Sequence, residues 1–193
     1  MTTASTPKGE RRRHALVQAA VELLIEGGFD AVRHRAVAER AGLPLASTTY
    51  YFESLDELIA AAIEHHGRTE LARGRAELEA LTEPPRGGDH LVELMLNQLL
   101  GPVDSNDAEA VLLRYERLVA TGRRPYLRPL MLDLGGDLRA LLLDTCVRAG
   151  AEVDAARLEQ LIALVDGAVV NALIEVNPDP RAAARRMLRE ALA

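Results

Sequence analysis

Two groups of side chains in this 193-residue chain carry recognisable chemistry. The first is cationic: Arg11-Arg12-Arg13, then Arg33 and Arg35, which supply positive charge for a polyanion. The second, Leu45-Ala46-Ser47-Thr48-Thr49-Tyr50-Tyr51, offers hydroxyls and methyl groups and no charge. No Lys or Arg occurs between Arg40 and Arg68, so this stretch cannot make the two-pronged arginine contact with guanine that is commonest in specific base reading. Hydroxyls tolerate several base edges and methyl groups suit the thymine methyl. The chemistry on offer is contact with a polyanion, positioned by Arg11 to Arg13, Arg33, Arg35 and Tyr51; were that polyanion duplex DNA, the second group would suit sites that depend on T·A pairs and shape.

Other chemistries lack their residues. Cys146 is the sole cysteine, which excludes an internal disulfide and a cysteine-built zinc site and suits a reducing cytoplasm. The one His and carboxylate cluster, Glu64-His65-His66 with Glu70, does not have the spacing that puts two ligands on one helix face. Gly27-Gly28, Gly87-Gly88 and Gly135-Gly136 follow no strand pattern and lack phosphate-loop spacing. No metal, no cofactor and no enzymatic activity are expected. The uncharged apolar runs are too short for a membrane span, and the basic start leads into Glu22 and Glu26 instead of a signal-peptide core.

The elements that must position these groups are helices. Hydrophobic residues make up 48% of the chain but aromatics only 3%, and the Leu and Ala bias favours an all-α fold with a sizeable core. After a patternless lead-in over residues 1–8, periodicity predicts helices at 9–26, ended by Gly27-Gly28, at 33–41, and at 45–51. Ser54 and Glu57 form a capping box for a helix running toward Leu81. The stretch 82–89 reads as a loop, and further helices follow at 89–100, 106–121, 125–149, 154–176 and 179–192, with Gly101-Pro102, Gly122, Gly150 and Asn177-Pro178 between them. Residues 1–52 carry a net +2 while the whole chain is −6, so the N-terminal part differs in character from the rest. Two short helices joined through Gly42, behind a basic arm, have the layout of a helix-turn-helix. Phe29 and Phe52 suit the core of so small a unit. Tyr50 and Tyr51 are adjacent and cannot both be buried on one face.

The segment from Val32 to Leu58 resembles the DNA-binding signature of the TetR family of transcriptional repressors. Ala38-Glu39, Ala41-Gly42, the exit Tyr50-Tyr51-Phe52 and the Ser54 cap follow in its order. The likeness covers about Glu10 to His66. It implies a DNA-binding domain over 9–68, with reading motif 33–52, and a ligand-binding and dimerisation domain over 69–193. It also implies that Arg33, His34 and Arg35 approach the backbone and groove edge while Leu45, Ala46, Ser47, Thr48, Thr49 and Tyr50 face bases. Two departures stand out. Leu55 occupies the place of a Lys in many relatives and cannot make its phosphate contact; Thr48 and Thr49 stand where many have a small hydrophobic residue and a Tyr.

The C-terminal helices show why a partner is expected. In 154–176 apolar residues cover much of the circumference, and 125–149 behaves alike. Two such helices suit a four-helix contact between identical subunits, which the resemblance also implies. Among the polar groups on apolar stretches, His90, Asn97, Gln98, Arg114, Tyr115, Arg117, Asp166 and Asn171, a pocket would take its few placed contacts. His90, Asn97, Arg114, Tyr115 and Asn171 are the candidate lining of a site for a largely apolar small-molecule effector. The sequence thus points to a cytoplasmic, homodimeric, ligand-responsive repressor of a palindromic operator. The alternative is a helical ligand-binding or protein-interaction module with weakened DNA binding.

Overall fold

The computed structural model describes residues 6–81, 88–102, 107–175 and 179–193, with the backbone alone over 107–110. Among them the order is α1 (Pro7–Ala31), α2 (His34–Arg40), α3 (Leu45–Tyr51), α4 (Leu55–Glu79), α5 (Gly88–Leu100), α6 (Asp107–Arg123), α7 (Arg128–Arg148), α8 (Ala155–Ile174) and α9 (Pro180–Leu192). A single 3-10 turn, Pro125–Leu127, precedes α7. The fold is all-α, as the composition requires. Among the described residues, no helix is long and apolar enough to cross a membrane. The helices group into two compact units: residues up to Thr69 with 116–131, and residues 70–115 with 132–193.

In the first unit, the expected lead-in ends sooner than its composition suggests. Thr6 caps α1, its hydroxyl accepting from the Gly9 N–H at 3.2 Å, and Pro7 occupies the first helical turn, where its missing N–H costs nothing. Residues 1–5 lie outside the described residues. The predicted stop at Gly27-Gly28 is present as a break, after which the chain regains a turn to Ala31. Gly28 has φ +62° and ψ −162°, a conformation essentially reserved for glycine. A Cβ there would lie 2.4 Å from the Glu116 carboxylate. Phe29 and Phe52 are buried, as expected, and each carries a cation on its ring: Arg124 at 4.3 Å and Arg13 at 4.9 Å. Ser54 Oγ accepts from the Glu57 N–H, while the Glu57 carboxylate accepts from the Glu53 N–H, one residue earlier than in the reciprocal box.

The second unit is built on an aliphatic core: Leu91, Val92, Met95, Leu96 and Leu99 of α5, Leu142 and Cys146 of α7, Leu158, Leu161, Val165 and Val169 of α8, and Ala184 and Leu188 of α9. Cys146 is a buried small hydrophobe whose thiol pKa is pushed up by that burial. Two residues of the expected 82–89 loop, Gly88 and Asp89, are already helical, while 82–87 and Asn177-Pro178 lie outside the described residues. α6 continues past Gly122 to Arg123, since a single glycine weakens a helix without ending it. α7 is less uniformly buried than its pattern suggests: Leu134, Leu141 and Leu142 are inside, but Leu132 and Val147 are exposed.

α5 and α9 run antiparallel, joined by pairs that advance four residues on each helix. Arg189 donates to Asp89 at 2.7 Å, Arg185 to Glu93, and Arg181 to Asn97 and to the Gly101 carbonyl, the last at 2.6 Å. Burial deepens along this ladder, from the exposed Arg189 pair to Arg181, which is 9% exposed. Arg185 holds the Glu93 carboxyl below its ordinary pKa, chiefly through their hydrogen bond. Arg181→Ala leaves the Gly101 carbonyl and Asn97 without this donor inside the unit, so it should cost about 3 kcal/mol. Arg189→Ala should cost under about 1 kcal/mol, because an exposed pair contributes little. Urea denaturation of the two variants measures the gradient, and equal losses would contradict it.

Candidate nucleic-acid interface

α2 and α3 are seven residues each, too short to be stable alone, and are fixed by what they bury. α2 buries Val37 and Ala38, and is tied to α1 by Arg40. The guanidinium of Arg40 meets Glu26 in a two-pronged contact, 2.8 and 2.6 Å, and reaches Glu22 at 3.3 Å. These bonds raise the pKa of Arg40 and lower that of Glu26. Arg40, one of the seven cations in residues 1–52, is thereby engaged within the protein. The signal in the sequence was the pair Glu22 and Glu26, four apart and so on one side of α1. Gly42 follows with φ +64°, making the turn into α3.

Of the residues expected to face bases, the structure places Leu45, Ala46, Thr49 and Tyr50 on the exposed side of α3. Leu45 is 53% and Tyr50 80% exposed. Ser47 and Tyr51 are half-buried. The Tyr51 ring packs perpendicular to that of Tyr50, centroids 4.9 Å apart, so one tyrosine supports the other. Thr48 departs from expectation. It is fully buried, and its hydroxyl donates to the Leu45 carbonyl at 2.8 Å, so it belongs to the core of the unit and not to the reading face. The small hydrophobic residue that TetR-like sequences carry there was the clue to an inward position.

Arg33 and Arg35 are exposed at the start of α2, and Arg11 and Arg12 on α1. The Arg33 guanidinium also donates to the Val32 carbonyl at 3.3 Å. His34 lies between them, half-buried, with a buried Nδ1 that has no hydrogen-bond partner among the described residues. Leu55, at the first position of α4, is half-buried. The exposed features together are a hydroxyl and methyl face on α3 beside guanidinium groups from α2.

The five candidate ligand contacts do not converge. His90 is exposed on α5. Asn97 is engaged in the α5–α9 ladder and donates to Glu77 at 2.6 Å. Gln98 bonds Thr145. Arg114 and Tyr115 both donate to Asp166, at 3.1 and 3.0 Å, and burial raises the Tyr115 pKa. Asn171 is exposed on α8, beside a groove of about 390 Å³ between α8 and α9. The expectation of one shared polar lining therefore gives way to separate structural networks, because each of Asn97, Arg114 and Tyr115 satisfies a neighbouring helix.

A profile described as "Bacterial regulatory proteins, tetR family" matches residues 16–62, and one described as "Tetracyclin repressor-like, C-terminal domain" matches residues 86–193, more than half of the chain. The chain belongs to the TetR family. It is a DNA-binding transcriptional regulator of that family, which is not one of enzymes. The HTH-type transcriptional repressor KstR of Rhodococcus jostii (strain RHA1) is 32% identical over 92 residues, 47% of this chain and 40% of that protein. The HTH-type transcriptional regulator PksA of Bacillus subtilis (strain 168) is 34% identical over 55 residues, 28% of this chain and 27% of that one. The aligned stretches thus span less than half of either curated relative. Among solved structures, the multidrug binding protein EbrR complexed with ethidium is similar over 94% of this chain and 99% of that one, with 31% identity and a TM-score of 0.70.

The inward position of Thr48 has a measurable consequence for a TetR-family reader. Thr48→Val keeps the shape and removes the hydroxyl, so the duplex sequence selected by the protein should stay the same while stability falls by about 1 kcal/mol. An altered base preference in the variant, read by sequencing bound duplexes, would return Thr48 to the reading face.

Proposed function

We propose that this chain is a homodimeric repressor that holds a near-palindromic operator with one α3 in each of two successive major grooves and leaves it when a small molecule binds residues 70–193. The observation that carries the proposal is the exposed face of α3 beside Arg33 and Arg35. Two reading helices related by two-fold symmetry meet successive grooves about 34 to 36 Å apart. Arg33, His34 and Arg35 would lie along the backbone and groove edge, and Leu45, Ala46, Ser47, Thr49, Tyr50 and Tyr51 would face or flank the bases. The chain would act in the cytoplasm, where chromosomal DNA is reached.

The surface of α8 supports pairing of two copies. Val170 and Ile174 are exposed there, and Ala163, Gly167 and Asn171 line the groove that Ala183 and Met187 of α9 close. This favours α8, within the 154–176 stretch, as part of the contact with α9 beside it, and the exposed Leu132 and Val147 keep the 125–149 helix in the same proposed interface. A glycine in a helix interior costs about 0.5 to 1 kcal/mol relative to alanine, and a Cβ at Gly167 would meet nothing within 4 Å in its own subunit. Close approach of a second helix explains its presence. Gly167→Arg should therefore leave the subunit folded and yield a monomer by sedimentation; an intact dimer would place the interface elsewhere.

The effector proposed is a largely apolar small molecule, since the second unit packs around an aliphatic core that offers few polar groups to a ligand entering between its helices. It would act by binding the DNA-free form more tightly, the only way a ligand shifts such an equilibrium. The test is selection of bound duplexes from a random pool by the purified protein at two salt concentrations. A palindrome should be enriched, and affinity should fall steeply with salt. Arg33→Ala, lost twice per dimer, should weaken all duplexes alike and lower the salt slope by roughly 2. Absence of enrichment would leave a helical ligand-binding or interaction module as the reading.

A further inference from the structure

We propose that α3 recognises its half-site mainly through the C5-methyl groups of thymines, using Leu45, Ala46 and the methyl of Thr49, and not through hydrogen bonds to base edges. The inference rests on the proposed docking of α3 in the major groove and names what α3 reads there.

It begins from what the exposed face of α3 holds. Leu45, Ala46, Thr49 and Tyr50 stand at positions i, i+1, i+4 and i+5 and form one continuous surface. None is an amide, a guanidinium or a carboxylate. Guanine is read best by a two-pronged cation, adenine by an amide and cytosine by an acid, and α3 has none of these.

The threonine protons are turned away as well, although the Thr49 oxygen can still accept. Thr48 donates to the Leu45 carbonyl at 2.8 Å from inside the unit, and Thr49 donates to the Ala46 carbonyl at 3.3 Å. The single proton of the Thr49 hydroxyl is thus directed at the helix's own backbone. The exposed surface that remains is mainly the Leu45 isobutyl group, the Ala46 methyl and the Thr49 methyl, with the Tyr50 phenol and the half-buried Ser47 adding hydroxyls indifferent to which acceptor they meet.

The cations around α3 are engaged within the protein or stand on α2, at the proposed backbone and groove edge. Arg40 is held by Glu26 and Glu22, Arg13 lies over the Phe52 ring, and Arg33 and Arg35 stand at the start of α2, the helix that crosses the backbone in this motif. In the major groove, the apolar group that bases present is the thymine methyl.

The experiment uses the full-length protein and the duplex enriched from a random pool. Thymidine is replaced by deoxyuridine at one symmetric pair of positions at a time, which keeps every hydrogen-bonding group and removes only the methyl. Binding is followed by fluorescence anisotropy at fixed salt. Each contacted methyl should be worth about fourfold in affinity, hence on the order of tenfold or more for a symmetric pair. Thr49→Ser, which keeps the hydroxyl and deletes the methyl, and Leu45→Ala, at an exposed position, should each lose the thymine-over-uracil preference at the position that side chain touches. This coupling distinguishes a contact from an effect of the methyl on DNA stiffness. If a palindrome is enriched but every deoxyuridine duplex binds like its parent, the regulator reading stands and the methyl inference falls. A half-site of G·C pairs beneath α3 overturns it equally. If no sequence is enriched, the docking of α3 fails and the inference fails with it.

Discussion

A seven-residue helix does not persist in water, so the exposed face of α3 depends on the anchoring of that helix from behind. Thr48 and Phe52, both essentially without solvent exposure, supply that anchor. They lie four residues apart, on the side of the helix opposite Tyr50. The Thr48 hydroxyl would be costly to bury unpaired, and its bond to the Leu45 carbonyl removes that cost while closing the first turn of α3. Arg13 over the Phe52 ring joins the basic face of α1 to the exit of α3. A cation of the basic arm and the side chain that anchors α3 are thus neighbours.

The electrostatics follow a similar economy. A chain of net charge −6 must repel DNA at long range, and only local positive charge can reverse this. One of the cations in the N-terminal segment is given to structure: Arg40 fastens α2 to α1 through Glu26 and Glu22. With Arg40 held there and no cation on α3, the positive charge lies before the reader in the chain, on α1 and at the start of α2. That division matches the division of labour between backbone contacts, which position, and base contacts, which specify.

The fold was legible because its signals are local. Alternating Leu and Ala at helical spacing, glycine stops and the Ser54 cap depend on neighbours within a turn or two, and the helices came out close to their expected ranges. Thr48 was misplaced because a threonine is ambiguous: its hydroxyl suits a base edge and its methyl suits a core, and only tertiary packing decides. The polar residues of the second unit were misread for a related reason. Asn97, Arg114 and Tyr115 lie on largely apolar helices, which suggests a pocket, yet each meets a partner far away in sequence: Asn97 meets Glu77 and Arg181, and the other two meet Asp166. Periodicity reports which face a residue is on, not what stands opposite.

The placement of residues 116–131 with the N-terminal unit is the feature that the sequence hid most completely. Glu116 lies against Gly28 and Arg124 over Phe29, while the Tyr126 hydroxyl bonds Asp56 and has its pKa pushed up to about 12, chiefly by burial. None of these pairs is local, and none involves a motif. The boundaries between the two units fall within α4, α6 and α7. Gly28, in a conformation essentially confined to glycine, allows the backbone to pass beside Glu116.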